Sequence, residues 1–102
     1  LSVPNSAVTA ALDVALSLAI GGATGAAVKA LVAQFGKKIA IQKITSAAIG
    51  ALAAFGVKQV LDLDGIVTNI VENLLSPGTA IAEWLDSTDP EPNNGYWDIV
   101  LG

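Results

Sequence analysis

The chain has 102 residues, 53% of them hydrophobic and only 14% charged, with a net charge of −4; ordinary soluble domains carry about 25% charged residues. Cys, His and Arg are absent, which excludes disulfides and Cys-based metal or redox sites, the usual general base, and the bidentate clamp on phosphate. The five Lys, nine carboxylates and scattered hydroxyls that remain point away from an enzyme, with no metal or cofactor expected.

No Met occurs and the sequence starts at Leu1, which suggests removal of an upstream segment and a secreted product. Ser6 to Ile20 reads as the first helix, entered through Pro4-Asn5, capped by Asn5 or Ser6, and stopped by Gly21-Gly22. Ser6, Thr9, Asp13 and Ser17 make one narrow polar stripe on it, while Val8, Leu12, Val14, Leu16, Leu18 and Ile20 occupy most of the rest. A polar face that narrow suits a helix buried on several sides.

Thr24 to about Phe35 follows, then Lys37 to Val57 or beyond, with Gly36 either separating two helices or lying inside one. Gln34, Lys38, Gln42, Thr45 and Ser46 share a face, but from Ala47 to Val57 no side chain is polar. A helix apolar all round is a bundle core or a membrane element.

Asp62-Leu63-Asp64-Gly65 reads as a turn in which Asp64 caps a helix from Ile66 to Leu75. Its first residues resemble the start of a calcium loop, but the later ligands are missing. The helix is cleanly amphipathic: Ile66, Val67, Ile70, Val71, Leu74 and Leu75 face one way, Thr68, Asn69, Glu72 and Asn73 the other. Ser76-Pro77-Gly78 is expected to end it, and Thr79 to cap a short helix through Trp84 and Leu85. Beyond Ser87, Asp89-Pro90-Glu91-Pro92 should be extended and Asn93-Asn94-Gly95 should turn. Tyr96 to Leu101 has strand-forming residues, to pair with Leu1-Ser2-Val3 or to lay its rings over the core. The expected fold is therefore mainly α: one compact domain with hydrophobic central helices and an irregular or short-strand C-terminal segment. It divides into an apolar, basic region (6–61), acidic amphipathic helices (62–86) and an extended tail (87–102).

Charge is sharply partitioned. From Val14 to Leu61 every charge is positive (Lys29, Lys37, Lys38, Lys43, Lys58), and from Asp62 onward every charge is negative. Such asymmetry hints at membrane or partner contact; the bland alternative is that the two halves pair with each other. Nucleic acid is a poor partner, since Arg is absent and the acidic third repels phosphate. Carboxylates have reference pKa values near 4, so acidification converts a net anion into a net cation and should strengthen any membrane activity.

Two stretches lack charge, Val14 to Val28 and Ile44 to Val57, each short of the ~20 residues that span a bilayer. Joining across Lys29, which can snorkel, extends the first to Phe35. The insertion candidates are Leu16, Ile20, Leu31 and Phe35 in the first stretch, and Ile44, Ile49, Gly50, Leu52, Phe55 and Val57 in the second. The five Lys are candidates for contact with an anionic surface. Gly21/Gly25 and Gly50/Ala54 have small-residue spacings that suit close helix packing, and a homo-oligomer is expected.

These features resemble two groups of small secreted killers with Ala/Gly-rich apolar helices and interspersed Lys. Circular bacteriocins are one, but they are usually shorter and basic, and the acidic Asp-Pro tail departs from their pattern. The acidic balance, the Leu1 terminus and the apolar Ala47-to-Val57 segment look more like the cysteine-free fungal killer toxins encoded by double-stranded RNA viruses, of the zygocin and smut-fungus type. The resemblance is one of character across roughly residues 6–75 and carries over no functional residue. It implies a secreted antimicrobial or antifungal toxin that permeabilises the target-cell membrane. The alternatives are a secreted carrier of a lipid or other hydrophobic ligand, and a non-catalytic structural or interaction subunit.

Overall fold

A run of Ala, Val and Leu with no Gly or Pro between Asn5 and Ile20 gives the first helix, α1 (Asn5–Ile20). The computed structural model describes residues 2–55, 62–88 and 94–98. Pro4 stands at the N-cap of α1 without a side-chain hydrogen bond, so neither Asn5 nor Ser6 caps it. Gly21 ends it in the left-handed conformation (φ 85°), donating its N–H to the Ser17 carbonyl, a geometry glycine adopts at little cost.

The second helix, α2 (Gly25–Phe35), is capped by Thr24, whose hydroxyl accepts the Ala27 N–H. Gly36 resolves the open alternative: it separates α2 from α3 (Lys37–Ala53). At φ 85°, ψ 165° it occupies a region essentially closed to residues with a Cβ. There it closes α2 by donating to Val32 O and opens α3 by accepting from Ala40 N. The apolar segment expected to run helically to Val57 stops earlier, at Ala53, with a turn at residues 54–55; Val57 and Lys58 lie outside the described residues.

The acidic region forms α4 (Asp64–Asn73) and α5 (Pro77–Thr88). Two readings of this region are corrected. Asp64 is itself the first residue of α4, and its N–H is taken by the side chain of Asp62. Pro77 begins α5 instead of closing α4, because its missing N–H and fixed φ suit the first helical position; the helix also runs three residues beyond Leu85. The end of α4 is made by Leu74, in the left-handed region at φ 53°.

Strand β1 (Ser2–Pro4) pairs antiparallel with β2 (Tyr96–Asp98), in the register Ser2↔Asp98, Val3↔Trp97 and Pro4↔Tyr96. The pairing of the chain's two ends is therefore as the strand-forming residues suggested, whereas the stretches 89–93 and 99–102 lie outside the described residues. The join is fastened by Asp86, which is 5% exposed. Its carboxylate accepts from Asn94 N and Gly95 N in the turn before β2, and from Asn5 Nδ2 at the start of α1. Asn5 adds a backbone bond to Gly95 O at 2.9 Å.

One core unites the helices. Val8, Leu12 and Leu16 of α1 meet Val28 and Leu31 of α2, the Ala40, Ile44, Ala48 and Leu52 row of α3, and residues of α4 and α5. α1 packs on both α3 and α5, and α4 on both α3 and α5. The radius of gyration is 12.8 Å, close to the ~13 Å of a compact chain of this length. The fold is the small, mainly α domain expected.

Candidate membrane-contact surface

The buried side of α1 is its apolar row Val8, Leu12 and Leu16, and the polar stripe lies at the edge of that side. Gly78, at the start of α5, lies so close that a Cβ there would collide with Asp13 Oδ1 and sit 3.4 Å from the Thr9 carbonyl. Thr9 and Asp13 are thereby half-buried. The opposite side, Ala7, Ala10, Val14 and Leu18 flanked by Ser6 and Ser17, is exposed. Val14 is 63% and Leu18 86% exposed. α1 thus buries one apolar row, half-covers Thr9 and Asp13 of its polar stripe, and leaves a second apolar row bare.

On α3 the exposed residues are Lys37 and Lys38 in the first turn, then Ile39, Gln42, Ser46, Ile49, Gly50 and Ala53, so beyond its first turn the solvent face of this helix carries no charge. Ile49 is 46% exposed. Residues Asn5–Phe35, taken together, are long and apolar enough to cross a membrane by length and composition, and only 17% of the most apolar window is buried. The run is interrupted at 21–24, where α1 ends and α2 has yet to begin.

The insertion candidates fall into two sets. Leu16, Leu31, Ile44 and Leu52 are buried in the core, so in this fold they hold the bundle together. Ile49, Gly50 and Phe35 are exposed, and Ile20 and Phe55 half-buried at the margin. Sequence reasoning missed Val14, Leu18 and Ile39 as surface residues; nothing in the helical period alone distinguishes them from the core.

Among the surface cations, Lys29, Lys37 and Lys38 are exposed and Lys43 half-buried. Lys43 holds its ammonium 5.0 Å from the centre of the Phe35 ring, within the range of a cation–π contact. Among the described residues none of these four Lys is paired with a carboxylate, so no ion pair among them joins the two charged halves. Exposed acidic side chains sit instead on and just before α4 and on α5, at Asp62, Asp64, Glu72 and Glu83.

A groove of about 380 Å³ lies between α4 and α5, lined by Ile66, Leu75, Ala80 and Trp84 with Asn69, Glu83 and Ser87. It is an open trough with a polar rim. No group of three or more metal-ligating side chains occurs among the described residues. Comparison with protein-family models, with curated proteins and with solved structures finds no match.

Proposed function

We propose that this protein is a secreted killer toxin, antimicrobial or antifungal, that associates with and permeabilises the membrane of a target cell, in the manner of the cysteine-free fungal toxins it resembles. The observation that carries the reading is the bare apolar side of the N-terminal helices. In the most apolar window 17% of the residues are fully buried, and Val14 and Leu18 stand 63% and 86% exposed. Contiguous apolar surface of that kind marks membrane or protein contact. Unpaired Lys beside it attracts anionic lipid, at about 1 kcal/mol per residue near the surface. Mutual packing of Ala- and Gly-rich faces then favours a homo-oligomer on the membrane. The carrier reading draws less support, since the α4–α5 groove is open and has Glu83 at its edge.

The test is dye release from anionic vesicles, run beside growth inhibition of fungi and bacteria. A double substitution, Gly50→Asp with Ala54→Asp, isolates the membrane step. Both positions are exposed, and a Cβ on Gly50 meets nothing within 4 Å, so the fold tolerates the change. Leakage and killing should both disappear while the helical spectrum is unchanged. Full activity in that variant would sink the proposal that the α3 face enters lipid.

A further inference from the structure

The corner where α2 gives way to α3 concentrates features that the rest of the surface keeps apart. Gly36 turns the chain there with both helix ends closed by their own backbone bonds. Phe35, on one side of it, is 45% exposed, and Ile39, on the other, 38%. Lys37 and Lys38 lie between them in sequence and are exposed, and Lys29 is exposed on α2.

Lys37 and Lys38 stand where the helix gives them no electrostatic support. They stand in the first turn of α3, where the helix dipole disfavours positive charge. That turn contains no acidic residue, and neither Lys has a carboxylate partner among the described residues. Lys43 lies over the Phe35 ring, so the aromatic side chain is held among cations. Exposed ammonium groups without a carboxylate partner among the described residues, near in sequence to two exposed apolar side chains, complement a surface that is anionic outside and hydrocarbon beneath.

We propose that the α2–α3 corner is the docking point for an anionic lipid surface, with Lys29, Lys37 and Lys38 contacting headgroup phosphates and Phe35 and Ile39 entering the interface. This deepens the membrane reading, on which it rests, by assigning first contact to the corner instead of to the bare side of α1. Leu16, Leu31, Ile44 and Leu52 then keep their places in the core during docking.

Absence of native Cys permits an uncluttered test in the full chain. Ile39→Cys, Val14→Cys and Glu72→Cys, each carrying an environment-sensitive fluorophore, are mixed with vesicles of phosphatidylcholine with or without phosphatidylglycerol. The label at 39 should shift to the blue on the anionic vesicles, while that at 72 stays in water. Each of Lys29→Gln, Lys37→Gln and Lys38→Gln should weaken vesicle binding about fivefold, and Phe35→Ser should weaken it further. A label at 14 that enters lipid while the one at 39 stays in water overturns the corner as docking point but leaves the membrane reading standing. No binding of the unmodified chain to either vesicle overturns both. Binding to a soluble polyanion such as heparin that matches vesicle binding and ignores Phe35→Ser also overturns the proposal, because it makes the corner a purely ionic site.

Discussion

Replacing Asp86 with Asn preserves its volume but places an NH2 group among N–H donors. Its two oxygens now accept from Asn5 Nδ2, Asn94 N and Gly95 N, and an amide has only one acceptor oxygen to offer them. D86N should lower stability by about 1–3 kcal/mol, the usual cost of leaving buried polar groups unmatched, as read by urea unfolding. Two glycines make a sharper contrast. At Gly36 an added Cβ meets no neighbour, yet φ is +85°, so Gly36→Ala should cost about 1–3 kcal/mol through backbone strain alone. At Gly50 an added Cβ also meets nothing, but the residue is inside α3. Gly50→Ala should therefore stabilise by roughly 0.5–1 kcal/mol through the lower entropy of the unfolded chain. Paired urea melts of the two variants, shifted in opposite directions, check the assignment of the helix break.

Between elements, backbone approaches backbone closely at the start of α2. A Cβ on Gly25 would run into the carbonyl oxygen of Leu74, the left-handed residue that ends α4. Gly25→Ala should destabilise by about 1–3 kcal/mol, the range for overpacked sites, measured as a lowered midpoint of thermal or urea unfolding. α4 was the most legible element in the sequence. Its period puts Val67, Ile70 and Val71 inward, and all three are buried; only Leu74, pulled out by its left-handed backbone, departs from the pattern. α1 was legible as a helix but not in its orientation. In an Ala-rich helix little distinguishes one apolar side from another, so the contact between α5 and Thr9/Asp13 decides which side is covered. Pro77 misleads for a related reason: the same residue that stops one helix can open the next, and only chain direction after it tells which. The candidate surface was thus half readable. The unpaired Lys were visible as a charge block, but the exposure of Val14, Leu18 and Ile39 depends on tertiary packing.

For the whole molecule, the proposed lipid association should be sensitive to solvent ions, because Lys29, Lys37, Lys38 and Lys43 have no carboxylate partner among the described residues. Screening lengths fall from about 30 Å at 0.01 M salt to about 3 Å at 1 M. Leakage of anionic vesicles should drop steeply over that range, whereas urea stability should change little, because no Lys–carboxylate pair among the described residues supports the fold. Acid acts in the other direction. Five protonations among the nine carboxylates suffice to turn a charge of −4 into +1, so dye release should increase as pH falls. The paired chain ends have a mechanical consequence as well. Ser2 and Asp98 lie at the same end of the β1–β2 ribbon, so tension applied through the two ends loads its hydrogen bonds one after another instead of all together. The ribbon should unzip at low force from Ser2 toward Pro4, and resistance should rise only when the load reaches the carboxylate of Asp86. A tweezers trace with a weak early step followed by a rise that D86N lowers is the expected record of a molecule that yields at its seam before its helices part.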